Sequence, residues 1–470
     1  MKNTIHSAHF VGIQGVGMSA LALIYHDQGI VVTGSDAEEA FDTLHELKKR
    51  GIMVYNEFSP SYVTSDVVIY GGAHGGEKNI EVMYAKSKGI PTLSFAQALA
   101  NESSRKKTLA ICGCHGKTTT TALSSYVLDS VVPDVSYAVG AAQFSNMPAG
   151  KWTEQSSLFV VEADEYVVDP QSDRRPKFSL LSPQYIITTV FDYDHVDIYS
   201  SIDDLKIAYR RFFESVPKTG IVFVNVDDPV LSTLASKIES HVVTYGTHKQ
   251  ADYRVHSIAR KNNRTVFSIT HKGKEYIFTL NLHGTHNALN ASAVVAFCNE
   301  FGLDLSKCSS ALATFGGVHR RLEMQYNKNG VVILDDYAHH PAEIAATLNA
   351  IRASYQSSKV VVLFQPHTYS RTKHFTSGFI ESLSGADYVG VLPIFASKRE
   401  QVDASITSDA LVKQAQRDNH NNFISITHED ALIAWLHTVP NERVVLVTMG
   451  AGDVYKYVST IQKFFEGHEQ

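Results

Sequence analysis

Short apolar runs, each closing in a glycine-rich or polar cluster, recur along the chain and predict strands followed by helices. Residues 9–13 form such a run, followed by Gly15-Val16-Gly17-Met18-Ser19-Ala20 and a second run at 30–33. Further β/α units are predicted at 67–70 and 92–93, and the polar stretch 101–107 reads as a linker. A buried strand at 109–112 then leads through a turn into a helix running from Thr118 past Leu123 and Val127 to Leu128. Strands follow at 158–161, 185–190 and 221–225, and alternating positions over 242–282 predict short strands on a flank. Residues 283–290 open a helix that continues through Phe297. Beyond a boundary near Phe315-Gly316-Gly317 come strands at 331–334, 360–364 and 444–447, with a helix over 342–352.

This rhythm predicts three successive α/β domains: a Rossmann-like domain over 1–105, a central P-loop ATPase-like domain with a mostly parallel sheet over 106–315, and a Rossmann-like C-terminal domain over 316–470. Composition narrows the class without changing that picture. With 44% hydrophobic and 19% charged residues, the chain has the make-up of a soluble globular protein. A net charge of -6 gives no support for a nucleic-acid partner. No apolar run is long enough to span a bilayer and none has a signal-peptide layout, so no membrane partner and a cytoplasmic location are expected. Cys112, Cys114, Cys298 and Cys308 form no metal-type spacing and are expected to be reduced thiols.

The candidate chemistry gathers at strand ends. Gly113-Cys114-His115-Gly116-Lys117-Thr118-Thr119 lies between a strand and a helix, the layout of a phosphate-binding loop. Its glycines admit a phosphate to the backbone, Lys117 supplies charge, and Thr118 can hold Mg²⁺. Ile111 stands where the standard pattern has its first glycine. A plain glycine-containing β–α turn is the bland alternative. Gly15, Gly17 and Ala20 fit the dinucleotide fingerprint, with Asp36 about 20 residues on as a ribose-binding acid. That turn accepts either a nicotinamide dinucleotide or the diphosphate of a UDP-sugar. Glu162-Ala163-Asp164-Glu165 and Asp192-Tyr193-Asp194-His195-Val196-Asp197 end the next two strands, so Glu162 is a natural Mg²⁺ ligand. His195 alone reads as a hydrogen-bonded residue, and the acids around it as a solvated loop. Asn287 and Asn290 share a helical face that suits a purine edge, although Asn287 could simply cap the helix. Asp335-Asp336-Tyr337-Ala338-His339-His340-Pro341 looks like a site, unless two of its four polar groups cap the helix that follows.

Taken together, in order and over nearly the whole chain, these stretches resemble the Mur ligases, ATP-dependent amide-forming enzymes of peptidoglycan precursor synthesis. Residues 12–19 look like the UDP-binding turn of the family's alanine-adding branch, and 114–119 like its ATP loop, where threonine usually replaces Cys114. Residues 335–341 and 365–372 are similar to signatures of its third domain. The resemblance implies ATP with Mg²⁺, or Mn²⁺, and the small-molecule substrates UDP-N-acetylmuramate and L-alanine, in a monomer or homodimer. It implies that Lys117 contacts phosphate, that Thr118, Glu162 and His195 bind metal, and that Asn287 and Asn290 approach adenine. Arg321 and Asp336 would complete the nucleotide site on domain closure. Gly15, Val16, Gly17, Met18, Ser19, Asp36 and His74 fall to the UDP-sugar, and His339, His340 and Arg371 to the amino-acid side.

Two departures stand out. Gly71-Gly72-Ala73-His74-Gly75-Gly76 replaces the family's Ser-Ser-Ala-Ile segment, and residues 162–178 look closer to the related recycling ligase, which attaches a preformed tripeptide to UDP-N-acetylmuramate. The N-terminal turn favours alanine. A nicotinamide oxidoreductase leaves the second phosphate loop unexplained, and a catalytically silent nucleotide binder leaves Lys117, Glu162, His195 and Asp336 unexplained.

Overall fold

The computed structural model describes residues 5–37, 41–132, 134–195, 198–261, 264–396 and 402–467. The chain forms two units: Met1–Tyr193 with Ile198–Leu282 and His286–His319, and Arg320–Gln470 with the short segments Asp194–Asp197 and His283–Thr285.

The first unit contains two large sheets and a two-stranded hairpin, Val167–Asp169 with Asp173–Pro176. Ser7–Val11 is the centre of a five-stranded parallel sheet, flanked by Val31–Ser35 and Met53–Tyr55 on one side and Val67–Tyr70 and Thr92–Ser94 on the other. This is the strand order 3-2-1-4-5 of a dinucleotide-type domain, whose direction reverses at the first strand. The second sheet has ten strands. Lys107–Cys112 lies in its middle, between the parallel strands Leu158–Glu162 and Tyr185–Thr188. An antiparallel meander, Tyr253–Lys261, Arg264–His271 and Lys274–Leu280, closes one edge, and the hairpin Ser136–Phe144/Met147–Lys151 closes the other. The central strands are apolar along their length because helices cover both faces. Helix Val16–Asp27 is shared by both sheets, since a side chain on Gly150 of the hairpin would strike the helix backbone at Ala20.

The second unit is a six-stranded sheet ordered Glu323–Lys328, Val331–Asp336, Val444–Met449, Lys359–Phe364, Tyr388–Val391 and Phe423–Ser425. Only the Glu323–Lys328 edge runs antiparallel. Val331–Asp336 and Val444–Met449 are buried at every position, including the acids Asp335 and Asp336.

The predicted linker at 101–107 is a correction. Helix Phe95–Ser103 takes its first three residues, and the next strand begins at Lys107. Ser94 and Gln97 form a capping box that starts this helix, and Glu102 and Ser103 are buried rather than solvated. Among the described residues no helix is long and apolar enough to cross a membrane.

Candidate active site

Three parallel strands end side by side in the first unit, and their polar ends build the phosphate loop. Gly113 and Gly116 take positive φ, +132° and +81°, which favours glycine there. A Cβ on Gly113 would strike Thr189, and one on Gly116 would press on the Asn290 amide at 3.3 Å. The loop is pinned from the neighbouring strand end. Thr189 Oγ1 donates to the His115 carbonyl at 2.6 Å, Cys114 N donates to the Val190 carbonyl at 2.6 Å, and His115 Nε2 sits 3.1 Å from Asp192.

Lys117 opens helix Lys117–Val131, and its ammonium turns back over the loop. It donates to the Gly113 carbonyl at 2.6 Å and lies 2.9 Å from the buried Glu165 carboxylate. Burial opposes its charge, but the Glu165, Asp164 and Glu162 carboxylates outweigh that and raise its pKa. Thr118 donates through Oγ1 to Glu162 at 3.2 Å, and Gly140 N donates to the other Glu162 oxygen at 3.1 Å. Two hard oxygen donors side by side next to a phosphate loop suit Mg²⁺. Thr119 is partly buried in the same first turn. Asn287 and Asn290 are both buried within the first turns of helix Thr285–Glu300, so Asn287 is not its cap.

The first sheet carries the other glycine turn. Gly15 precedes helix Val16–Asp27, whose first turn contains Val16, Gly17, Met18 and Ser19. Asp36, fully buried, accepts from Gln14 N at 2.8 Å, and His74 Nε2 lies 3.3 Å from its other oxygen. The acid is therefore tied to the turn itself. The two departures from the family pattern meet here. Gly72 and Gly76 pack against the hairpin Val167–Asp169/Asp173–Pro176, where a Cβ on Gly76 would strike the Asp169 carboxylate. Glycine in one segment makes room for the other.

The remaining candidates belong to the second unit. Asp336 accepts from Leu322 N at 2.7 Å and Ala338 N at 2.9 Å; burial raises its pKa to about 6 against the opposing pull of Arg321. Arg321 lies 3.9 Å from Glu343 and 5.1 Å above the Tyr337 ring. Its neighbour Arg320 is structural: buried, it pairs with Asp335 at 2.8 Å and donates to the Gly450 and Gly452 carbonyls. His340 is the helix cap that the bland reading allowed, forming a capping box with Glu343. His339 Nδ1 is 3.0 Å from the Tyr337 carbonyl, and burial lowers its pKa to about 4, so it is neutral at pH 7.

The acids at 192–197 are not merely a solvated loop. Asp194 is buried and ion-paired with Arg371 at 2.8 Å. Burial would raise its pKa, but His195, Arg371 and His339 hold it well below the usual carboxylate range. His195 sits at φ +56° with its backbone N–H on Asp194 at 2.7 Å. Val196 lies outside the described residues, as does Asp197. Thr368, a β-branched residue at φ +67°, starts the helix carrying Arg371 and marks a strained turn.

Sequence reasoning assigned no role to Glu165, Thr189 or the Asp194–Arg371 pair. Glu165 was visible as one of three acids at a strand end, but nothing local singled it out.

Models of three domains match successive parts of the chain: the Mur ligase family catalytic domain over residues 7–107, the Mur ligase middle domain over 111–298, and the Mur ligase glutamate ligase domain over 320–452. The chain is 35% identical to a UDP-N-acetylmuramate–L-alanine ligase of Pediococcus pentosaceus, covering 97% of this chain and 98% of that one. A crystal structure of UDP-N-acetylmuramate–alanine ligase from Thermotoga maritima superposes with a TM-score of 0.81 at 27% identity, covering 99% of both chains. A murein peptide ligase from Psychrobacter arcticus shares the fold, with a TM-score of 0.72 at 21% identity over 98% of each chain. Two glycine turns on adjoining sheets, an anchored loop lysine and a full-length relative at this identity lead to one conclusion: the chain belongs to the Mur ligase family.

Proposed function

We propose that this protein is an ATP-dependent amide ligase that joins the lactyl carboxylate of UDP-N-acetylmuramate to L-alanine for peptidoglycan precursor synthesis. One observation carries the reading: a phosphate loop with its lysine anchored in place, in a chain 35% identical over 97% of its length to a protein of that name.

A carboxylate is a poor electrophile, so the reaction passes its oxygen a phosphoryl group from ATP, giving an acyl phosphate. The amine attacks, and phosphate leaves. Little covalent chemistry falls to the protein, so positioning and charge neutralisation dominate. Lys117 is held over the loop to meet phosphate oxygens, and the backbone amides that open helix Lys117–Val131 would face the same anion. Thr118 and Glu162 would hold Mg²⁺, which when bound neutralises charge on the phosphates. The Gly15–Ser19 turn, Asp36 and His74 take the UDP-sugar. His195 as a further metal ligand, Arg321 and Asp336 toward ATP, and His339, His340 and Arg371 toward the amino acid are roles carried over from the resemblance. The buried Asp194 partner fixes the Arg371 guanidinium, which supports a positioned anion contact there.

The test is ATP-dependent phosphate release with UDP-N-acetylmuramate and a choice of amines. L-Alanine is expected to exceed glycine, L-serine and the tripeptide L-alanyl-γ-D-glutamyl-meso-diaminopimelate. Preference for the tripeptide would transfer the protein to the recycling reaction that residues 162–178 suggested.

A further inference from the structure

Behind the first glycine turn lies a buried polar network outside the groups already assigned. His9, Ser35 and Glu81 are all fully buried, and the Glu81 carboxylate is the hub. One of its oxygens accepts from the Ser35 hydroxyl and lies 3.4 Å from His9 Nε2; the other accepts from Ser59 N at 3.0 Å. His9 Nδ1 in turn sits 2.9 Å from Thr33 Oγ1. Burying a carboxylate is costly unless its oxygens are well bonded. Helix Ile80–Ser87, which carries Glu81, already packs on the sheet through the apolar cluster of Val11, Val68, Tyr70, Val82 and Ala85. Packing alone therefore does not call for an acid here.

Each bond of Glu81 leads back to the UDP-sugar group. The Ser35 carbonyl accepts from Gly12 N at 2.8 Å and Ile13 N at 3.2 Å, so Ser35 fixes the entry of the glycine turn, and it directly precedes Asp36. The loop of Ser59 follows strand Met53–Tyr55, and the Tyr55 carbonyl accepts from Asp36 N at 2.9 Å. The same helix start reaches His74. Asn79, the N-cap, accepts from Glu81 N at 3.0 Å and donates through Nδ2 to the His74 carbonyl at 3.1 Å. One helix start thus grips the chain beside both Asp36 and His74, whose side chains stand 3.3 Å apart.

We propose that Glu81 is a positioning residue for the UDP-sugar: through Ser35 and the Ser59 loop, with Asn79 beside it, it holds Asp36, His74 and the first glycine turn in their binding arrangement before the substrate arrives. This role rests on the ligase reading, which gives the turn its ligand. A site ordered in advance loses less freedom on binding, so the network should show in affinity for the UDP-sugar and not in affinity for ATP.

Steady-state kinetics and calorimetry on the full chain test it. Glu81→Leu removes every bond of the carboxylate, and Ser35→Ala removes only the connecting hydroxyl. Glu81→Gln keeps an oxygen for Ser59 N and turns an amide toward Ser35. No heat from wild type with UDP-N-acetylmuramate would overturn the ligase reading itself, and this role with it. Where wild type binds, Glu81→Leu is expected to raise KM and Kd for UDP-N-acetylmuramate about tenfold and Ser35→Ala about fivefold, with Glu81→Gln within about threefold of wild type. KM for ATP and kcat should stay within about twofold, the pattern of lost ground-state binding. A merely structural role gives the other pattern: kcat falls with the folded fraction while KM for the UDP-sugar holds. If Glu81→Leu does not fold, Ser35→Ala decides alone. An unchanged KM for UDP-N-acetylmuramate in Ser35→Ala, or an equal loss of affinity for the UDP-sugar and ATP, would overturn the proposal.

Discussion

On the proposed reading Lys117 has two duties, and its substitution should reveal both. As a phosphate contact its loss is expected to lower turnover by about 10²–10³-fold, the scale for removing one preorganised charge partner. As the partner of buried Glu165 its loss should also destabilise the first unit, by about 3 kcal/mol. Lys117→Ala combined with Glu165→Gln separates the two: stability should recover in large part while activity stays lost. A double variant that regains turnover would remove Lys117 from the phosphate site. In the second unit, Asp336 and His339 give opposite pH signatures. The Asp336 carboxyl, raised from 3.8 to about 6, contributes stability that is present at low pH and fades as pH rises through 6. His339, lowered from 6.5 to about 4, contributes stability present above 6.5 that is lost as pH falls through 4. Between pH 4 and 6 the two partly cancel. Asp336→Asn should therefore make the unfolding temperature climb more steeply with pH, and His339→Gln should make it fall; parallel shifts of all the curves would contradict both assignments. Residue placements were legible where one motif contains them. Glu165 is 48 positions from Lys117, Asp194 is 177 from Arg371 and Asp169 is 92 from Glu77. No spacing rule reaches that far, so those pairs appear only in the folded chain.

At the scale of elements, the strand Ser136–Phe144 connects three features. Tyr137 is buried edge-on against Phe144, Gly140 donates to Glu162, and the turn beyond Phe144 holds the segment that ends the first unit. That turn has two left-handed residues, Ser145 at φ +44° and Asn146 at +62°, the two-residue pattern suited to a twisted hairpin. Ser145 exchanges bonds with Gly316 and Gly317, at 2.7 Å and 2.9 Å. Gly140→Ala is the informative change, because its Cβ would come within 2.5 Å of a Glu162 oxygen. The Glu162 carboxylate must move, so the Mg²⁺ concentration for half-maximal rate should rise severalfold with the unfolding temperature nearly unchanged. An unaltered Mg²⁺ requirement would take Glu162 out of the metal site. Parallel strands were readable as continuous apolar runs because both of their faces are covered. The helix Phe95–Ser103 was obscured by its exposed polar face, although Ser94 and Gln97 carried its start signal.

For the whole molecule, the order of glycine turns, acids and histidines was already a family signature, because each sits just past a strand whose apolar pattern is local. The grouping of residues 194–197 and 283–285 with the last sheet was not legible, since it follows from tertiary contacts alone. The first glycine turn should bind a UDP-sugar and not a nicotinamide dinucleotide. Calorimetry on the full chain should give heat with UDP-N-acetylmuramate and none with NADH, and the reverse would reinstate the oxidoreductase reading. The most direct measurement follows an oxygen atom. UDP-N-acetylmuramate labelled with heavy oxygen in its lactyl carboxylate is turned over with ATP, Mg²⁺ and L-alanine, and the released phosphate is weighed by mass spectrometry. Activation through an acyl phosphate requires one labelled oxygen in each phosphate formed, in step with the amide; unlabelled phosphate, or phosphate release that ignores L-alanine, would contradict it.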